Sequence, residues 1–290
     1  GDIIKALESS IILLNHRTRL DWLFFFGALA HRTIPPAHNC KIVLKSMIKE
    51  IPGLGWGMQI NHYVFLRRNW NTDKDVISKL VKYFKEINLT YQILLFPEGT
   101  NLTKSTKRRS DEYGNKNNFP LYDYVLHPRT TGFCFLSQEM MKAQHLDAIY
   151  DVTVMYPKTL PETELDLLKG KFPEEVHFFI KRYPIETIPE SESELQRWLR
   201  DLWDEKEKRL EKAFEVGHFS HSKGISMKLN ASYLSLFFWI PFMIGFIQMF
   251  WSFYFVQIWC AFHTVHSVFI SVFTDGIQSL ELYLHRTYMK

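Results

Sequence analysis

Between Lys228 and Asp275 the chain has no aspartate, glutamate, lysine or arginine. Two histidines, His263 and His266, are the only residues of that interval that titrate near neutral pH. A membrane span needs about twenty apolar residues, and this interval is long enough for two. It therefore reads as a membrane hairpin over 229–274, preceded by a linker over 216–228 and followed by a short tail over 275–290. Pro241 and Gly245 fall in its first half, where a kink is expected, and the turn is placed around Gln248 to Ser252. Trp, Tyr and Phe residues along it suit the membrane–water boundaries. The interval's two histidines are three residues apart, and packing among aromatic rings is the expected role.

Cysteine is scarce as well. Cys40, Cys134 and Cys260 are far apart and match neither a disulfide framework nor zinc-ligand spacing. They are expected to be reduced thiols, and no metal site is expected. The charge balance is nearly even: 35 Lys and Arg against 31 Asp and Glu, a formal net charge of +4. That is too little to argue for a nucleic-acid partner, though it suits contact with anionic surfaces. Internal repeats and low-complexity tracts are absent. Gly53, Gly55 and Gly57 lack the spacing and preceding strand of a dinucleotide fingerprint and are read as a tight, aromatic-lined bend.

What the chain does contain is an alternation of strand-like and helix-like stretches over residues 1–215. Ile11-Ile12-Leu13-Leu14, Gln92 to Phe96, Asp147 to Met155 and Val176 to Tyr183 read as strands. Asp73 to Ile87 and Gly132 to Ala143 read as helices. A further amphipathic helix follows the capping signature Ser191-Glu192-Ser193-Glu194, with Leu195, Trp198, Leu199, Leu202, Leu210 and Phe214 at helical spacing. The alternation argues for an α/β fold, a central mostly parallel sheet flanked by helices.

Two points on this frame carry chemistry. The first apolar strand runs into Asn15-His16-Arg17-Thr18-Arg19-Leu20-Asp21. If His16 lies in the strand-to-helix turn and Asp21 in the first helical turn, the carboxylate orients the imidazole. That is the general-base half of a catalytic triad without its serine. A structural histidine in a turn fits the same residues. The second point is Pro97-Glu98-Gly99-Thr100, directly after Ile93-Leu94-Leu95-Phe96. Open α/β sheets build ligand crevices at such strand ends, although an ordinary turn also has this composition.

Together these motifs resemble the membrane-bound glycerolipid acyltransferases, marked by Asn-His-four residues-Asp and then Phe-Pro-Glu-Gly-Thr. Between them, Tyr63-Val64-Phe65-Leu66-Arg67-Arg68 is similar to the family's phosphate-contacting segment, with Arg68 at its arginine. Asp151-Val152-Thr153-Val154-Met155-Tyr156-Pro157 is similar to its late strand. The order holds over about residues 9 to 160. Asn15 to Trp22, Tyr124 to Phe133 and Phe172 to Ile185 further resemble the lysocardiolipin acyltransferase subfamily.

The resemblance implies transfer of a fatty acyl group from acyl-CoA to a hydroxyl of an anionic lysophospholipid, such as lysocardiolipin, lysophosphatidylinositol or lysophosphatidylglycerol. A thioester is already activated, so the reaction needs a base, an orienter and oxyanion donors, but no covalent intermediate. His16 is the expected base and Asp21 its orienter, with backbone amides near Gly99 as oxyanion donors. The resemblance implies that Glu98, Gly99 and Thr100 hold the acceptor and that Arg68 contacts its phosphate. Arg17 and Arg19 replace smaller polar residues of the wider family and are expected to meet a headgroup or CoA. Asn101 stands where many members have arginine. Lys104, Lys107, Arg108 and Arg109 either substitute for it or form a solvated basic loop.

Acyl-CoA is a co-substrate, and no cofactor is expected. The expected partners are acyl-CoA, lysophospholipid and the bilayer, and the expected place is the endoplasmic reticulum membrane, crossed more than once. The chain opens on Gly1, and a membrane segment upstream is expected. The rivals are a lysophosphatidate acyltransferase and a non-catalytic membrane scaffold.

Overall fold

The computed structural model describes residues 1–32, 39–219 and 230–288. The chain divides into two units, residues 1–43 with 69–225 and residues 44–68 with 226–290. A six-stranded sheet runs in the order β3-β2-β4-β1-β5-β6. Its strands are β1 (Ser10–Leu14), β2 (Cys40–Lys45), β3 (Val64–Leu66), β4 (Gln92–Leu95), β5 (Ala148–Met155) and β6 (His177–Pro184). β1 pairs in parallel with β4 and β5, β2 pairs in parallel with β4, and β6 runs antiparallel to β5. Every residue of β1 is buried, as the continuous apolar run of a strand covered on both faces requires.

Helices flank the sheet in the first unit. They are α1 (Asp21–Arg32), α3 (Trp70–Glu86), α4 (Lys104–Asn117), α5 (Thr130–Lys142), α6 (Glu164–Leu168) and α7 (Glu192–Val216), with α2 (Leu54–Ile60) belonging to the second unit. α3 is capped by the Asn69 side chain and buries Ile77, Leu80, Val81 and Phe84 at helical spacing. α7 starts where Ser191 accepts from the Glu194 amide, and it ends at Gly217 in the left-handed region at φ 85. Residues 220–228 of the expected linker lie outside the described residues.

Two expectations are corrected. Gly53 to Gly57 is not only a bend, because Gly53, at φ 75, turns the chain into α2. There a Cβ on Gly55 would sit 2.3 Å from the Lys49 carbonyl oxygen. Glycine thus allows the helix to pack directly against the 3₁₀ turn Ser46–Glu50. Residues 104–109 are likewise no loop. They open α4, which the Thr103 and Thr106 side chains cap reciprocally.

In the second unit, α8 (Asn230–Ser252) and α9 (Tyr254–Phe273) are joined by the single residue Phe253 and form the hairpin candidate. Both are long and apolar enough to cross a membrane. Pro241 stays inside α8. His263 packs on Trp259 and His266 stacks on Phe262. After α9, Asp275 at φ 56 and Gly276 at φ 104 turn the chain into α10 (Ile277–Tyr288).

Candidate active site

Because β1 and β4 are parallel, with Leu13 opposite Leu95, their carboxyl ends lie side by side. The two sequence motifs leave the sheet at those ends. Asn15 fixes the exit of β1. Its side chain donates to the Val154 carbonyl at 3.1 Å and accepts from the Val154 amide at 2.8 Å, tying the turn to β5.

His16 follows in the turn and Asp21 opens α1. The His16 Nδ1 lies 2.9 Å from Asp21 Oδ2. That oxygen also accepts the Thr18 amide at 2.9 Å, and Oδ1 accepts the Tyr156 hydroxyl at 2.8 Å. Asp21 is fully buried, so these donors offset the loss of water around its charge. An aspartate partner on Nδ1 sets the tautomer with the proton there and leaves Nε2 as the basic atom. Nε2 makes no hydrogen bond among the described residues, and the side chain is 19% exposed. Phe96 lies against the ring, with centroids 4.4 Å apart, and restricts its rotation.

The second motif wraps the His16 peptide. Glu98 Oε1 accepts the His16 amide at 3.2 Å, while the Leu102 amide donates to the His16 carbonyl at 2.8 Å. Glu98 is 3% exposed, and its Oε2 has no hydrogen-bond partner among the described residues. Burial pushes this carboxyl up to about 8, only partly offset by the His16 and Leu126 amides, the Lys206 ammonium and the Trp203 indole. The neutral acid therefore predominates at neutral pH, able to donate as well as accept.

Gly99 adopts φ 71, a left-handed turn that suits glycine. Its amide donates to Phe96 at 2.9 Å, so this N–H is engaged in the turn rather than held ready for an oxyanion. Thr100 follows, half-buried. The first unit thus brings His16, Asp21, Glu98, Gly99 and Thr100 together. Arg17 lies half-buried in the same turn. Arg19 is exposed and pairs with Glu164 at 3.3 Å. Arg68 belongs to the second unit, exposed after β3 at φ 61.

A family model described as acyltransferase matches residues 2–157. The chain belongs to the acyltransferase family. A second model, acyltransferase C-terminus, matches residues 166–240. The chain is 40% identical over 299 residues to lysocardiolipin acyltransferase 1 of Gallus gallus, covering 100% of this chain and 79% of that protein. It is 44% identical over 211 residues to lysophosphatidylinositol acyltransferase 10 of Caenorhabditis elegans, covering 72% of this chain and 54% of that one. Identity to 1-acyl-sn-glycerol-3-phosphate acyltransferase 2 of Brassica oleracea is 34% over 217 residues, covering 74% and 54%. The chain therefore spans about half the length of the last two relatives.

This acyltransferase has site-supporting residues that the motifs do not reveal. Tyr156 reaches Asp21 from just beyond β5, 135 residues away, so no local spacing links them. Arg129 binds its amide to the Pro97 carbonyl at 2.8 Å, and its Nε lies 3.4 Å from where a Gly99 Cβ would stand. Its guanidinium makes no hydrogen bond or ion pair among the described residues. Lys206, from α7, is wholly buried and pairs with Asp151 of β5. It also donates to the Val152 carbonyl at 2.6 Å, and Arg209 holds the other Asp151 oxygen at 2.8 Å. Burial pulls the Lys206 ammonium down while Asp151 holds it up. A signal for this pair was present. Asp151 interrupts an apolar strand, and Lys206 falls four residues from both Leu202 and Leu210 on the buried face of α7.

Proposed function

We propose that the chain transfers an acyl group from acyl-CoA to a free hydroxyl of an anionic lysophospholipid, of the lysocardiolipin, lysophosphatidylinositol or lysophosphatidylglycerol type. The observation that carries this is the His16–Asp21 contact at 2.9 Å, with Nε2 left free at the mouth of the turn. Nε2 takes the proton of the acceptor hydroxyl as its oxygen attacks the thioester carbonyl. Asp21 stabilises the imidazolium that results. Collapse of the tetrahedral adduct expels the CoA thiolate, which recovers the proton from Nε2. No protein nucleophile and no cofactor take part. Glu98 holds the His16 peptide in place, while Arg17 and Arg19 supply cations for phosphate.

The names of the relatives support the acceptor class, since identity is higher to the lysocardiolipin and lysophosphatidylinositol acyltransferases than to the 1-acylglycerol-3-phosphate enzyme. The two outward-facing apolar helices support a bilayer. A multi-pass protein of the endoplasmic reticulum is the compartment we assign, on the resemblance alone.

The test is labelled acyl-CoA transfer in membranes, with a panel of lysophospholipids in competition, for the native chain and His16→Ala. The expected result is acylation of anionic acceptors by the native chain and a loss of about 10³-fold in the variant. Equal activity in both would overturn the mechanism. Preference for lysophosphatidate would replace the acceptor. Absence of transfer by a stably inserted native chain would favour the scaffold.

A further inference from the structure

The second unit contains a short amphipathic segment that its hairpin holds at a defined height. α9 has 20 residues, about 30 Å of helix at 1.5 Å per residue, which matches the hydrocarbon thickness of a bilayer. Asp275, two residues past its end, is the first charged residue after Lys228 and so marks the start of the headgroup layer.

The 3₁₀ turn Ser46–Glu50 and α2 are fastened to that point. Lys49 donates to the Asp275 carboxylate at 2.7 Å and to its carbonyl at 3.0 Å. Arg67 Nη2 reaches both Asp275 oxygens, at 3.2 and 3.3 Å. The Trp56 indole donates to Ser271 of α9 at 3.1 Å, and Gln278 of α10 donates to the Tyr63 carbonyl at 3.1 Å. Close approach is enforced from both sides. A Cβ on Gly276 would sit 2.2 Å from Gln59 Oε1, and one on Gly55 would meet Lys49.

Large apolar side chains on this fastened segment nevertheless face outward. Met47 is 67% exposed, Leu54 55%, Ile60 60% and Ile51 44%. Lys45, Arg67 and Arg68 are exposed beside them. Apolar side chains next to cations, at the height where a span ends, are the composition of a segment lying in the membrane interface.

We propose that residues 46–60 lie in the headgroup layer of the bilayer, with Met47, Ile51, Leu54 and Ile60 dipping toward the acyl chains. The Asp275 clamp sets their depth. Arg67 and Arg68 then sit at the level of lipid phosphates. This rests on the hairpin being inserted, as proposed above.

The experiment uses the full chain in vesicles of phosphatidylcholine and phosphatidylglycerol, in a Cys260→Ala background because Cys40 and Cys134 are buried. Single environment-sensitive fluorophores are attached to Met47→Cys, Leu54→Cys, Val265→Cys and Leu168→Cys. Val265 is 69% exposed midway along α9, and Leu168 is 82% exposed in the first unit. Nitroxide lipids then quench either at the headgroup or deep in the acyl chains. The expected result is headgroup-level quenching at positions 47 and 54, deep quenching at 265 and none at 168. If 265 is quenched while 47 and 54 behave like 168, the interfacial segment is refuted and the hairpin stands. If 47 and 54 respond mainly to the deep nitroxide, the segment is inserted rather than interfacial, and the assigned depth is wrong. If 265 is not quenched, the hairpin reading fails and takes this one with it.

Discussion

The two units use the same residue types in opposite ways. In the first, Leu94 and Phe84 are 0% exposed, whereas in α8 Leu236 is 54% and Phe237 79% exposed. Charge is reversed too. The first unit buries Asp21, Asp151 and Lys206, while α8 and α9 contain no charged residue. A protein interior accepts charge when partners are built around it. A helix facing hydrocarbon has no partners to offer, so charge is left out. The first unit is therefore organised to hold polar groups in fixed positions, which is what chemistry needs. The α8–α9 pair is organised for its surroundings, which is what location needs.

The strongest way to probe that contrast is to break a buried charge pair. Lys206→Ala leaves Asp151 with Arg209 alone and is expected to destabilise the chain by about 3 kcal/mol. Denaturant unfolding in detergent measures it. The double variant Lys206→Met with Asp151→Asn is expected to recover part of the loss, because the uncompensated charge is gone. A double variant as unstable as the single one would show that packing, rather than charge, sets the effect.

The next probe changes one residue type in both units. Leu94→Ala opens a cavity on a covered face of the sheet and is expected to cost about 2–4 kcal/mol of stability. Leu236→Ala has no protein cavity to open and is expected to stay within about 0.5 kcal/mol in detergent. Its effect appears instead as weaker retention of the chain in vesicles. Equal destabilisation by both would mean that α8 packs against protein in solution.

A third probe concerns pH. The folded-state carboxyl of Glu98 is raised from 4.5 to about 8 by burial. Its contribution is thus fully present below 4.5 and is lost as pH rises through about 8. Thermal melts across that window are expected to fall with rising pH in the native chain and to fall less in Glu98→Gln, which keeps the acceptor for the His16 amide. Parallel pH profiles for the two would remove Glu98 as the titrating group.

Much of the arrangement was legible from spacing. Ile11 to Leu14 reads as a buried strand because every side chain is apolar, and it is the centre of the sheet. His16 and Asp21 are near in sequence, so a turn followed by a helix start was enough to bring them together. Residues 104–109 were harder, because their basic composition suits a loop and a helix equally. The reciprocal Thr103–Thr106 cap decides for the helix.

By itself, the sequence determined the strand–helix alternation, the His16–Asp21 pair, the Glu98–Gly99 turn and the uncharged interval that ends at Asp275. These are local patterns, carried by the period of the backbone and by short loops. Only the tertiary structure decided that Tyr156 steadies Asp21, that Lys206 neutralises Asp151 and that Glu98 is buried enough to stay protonated. It also decided that Lys49 and Arg67 converge on Asp275. Those contacts join residues tens to hundreds of positions apart, and a distant partner leaves no period in the chain. The buried lysine was the one partial exception, because a charge on the apolar face of a helix requires a counter-charge that only the folded sheet supplies.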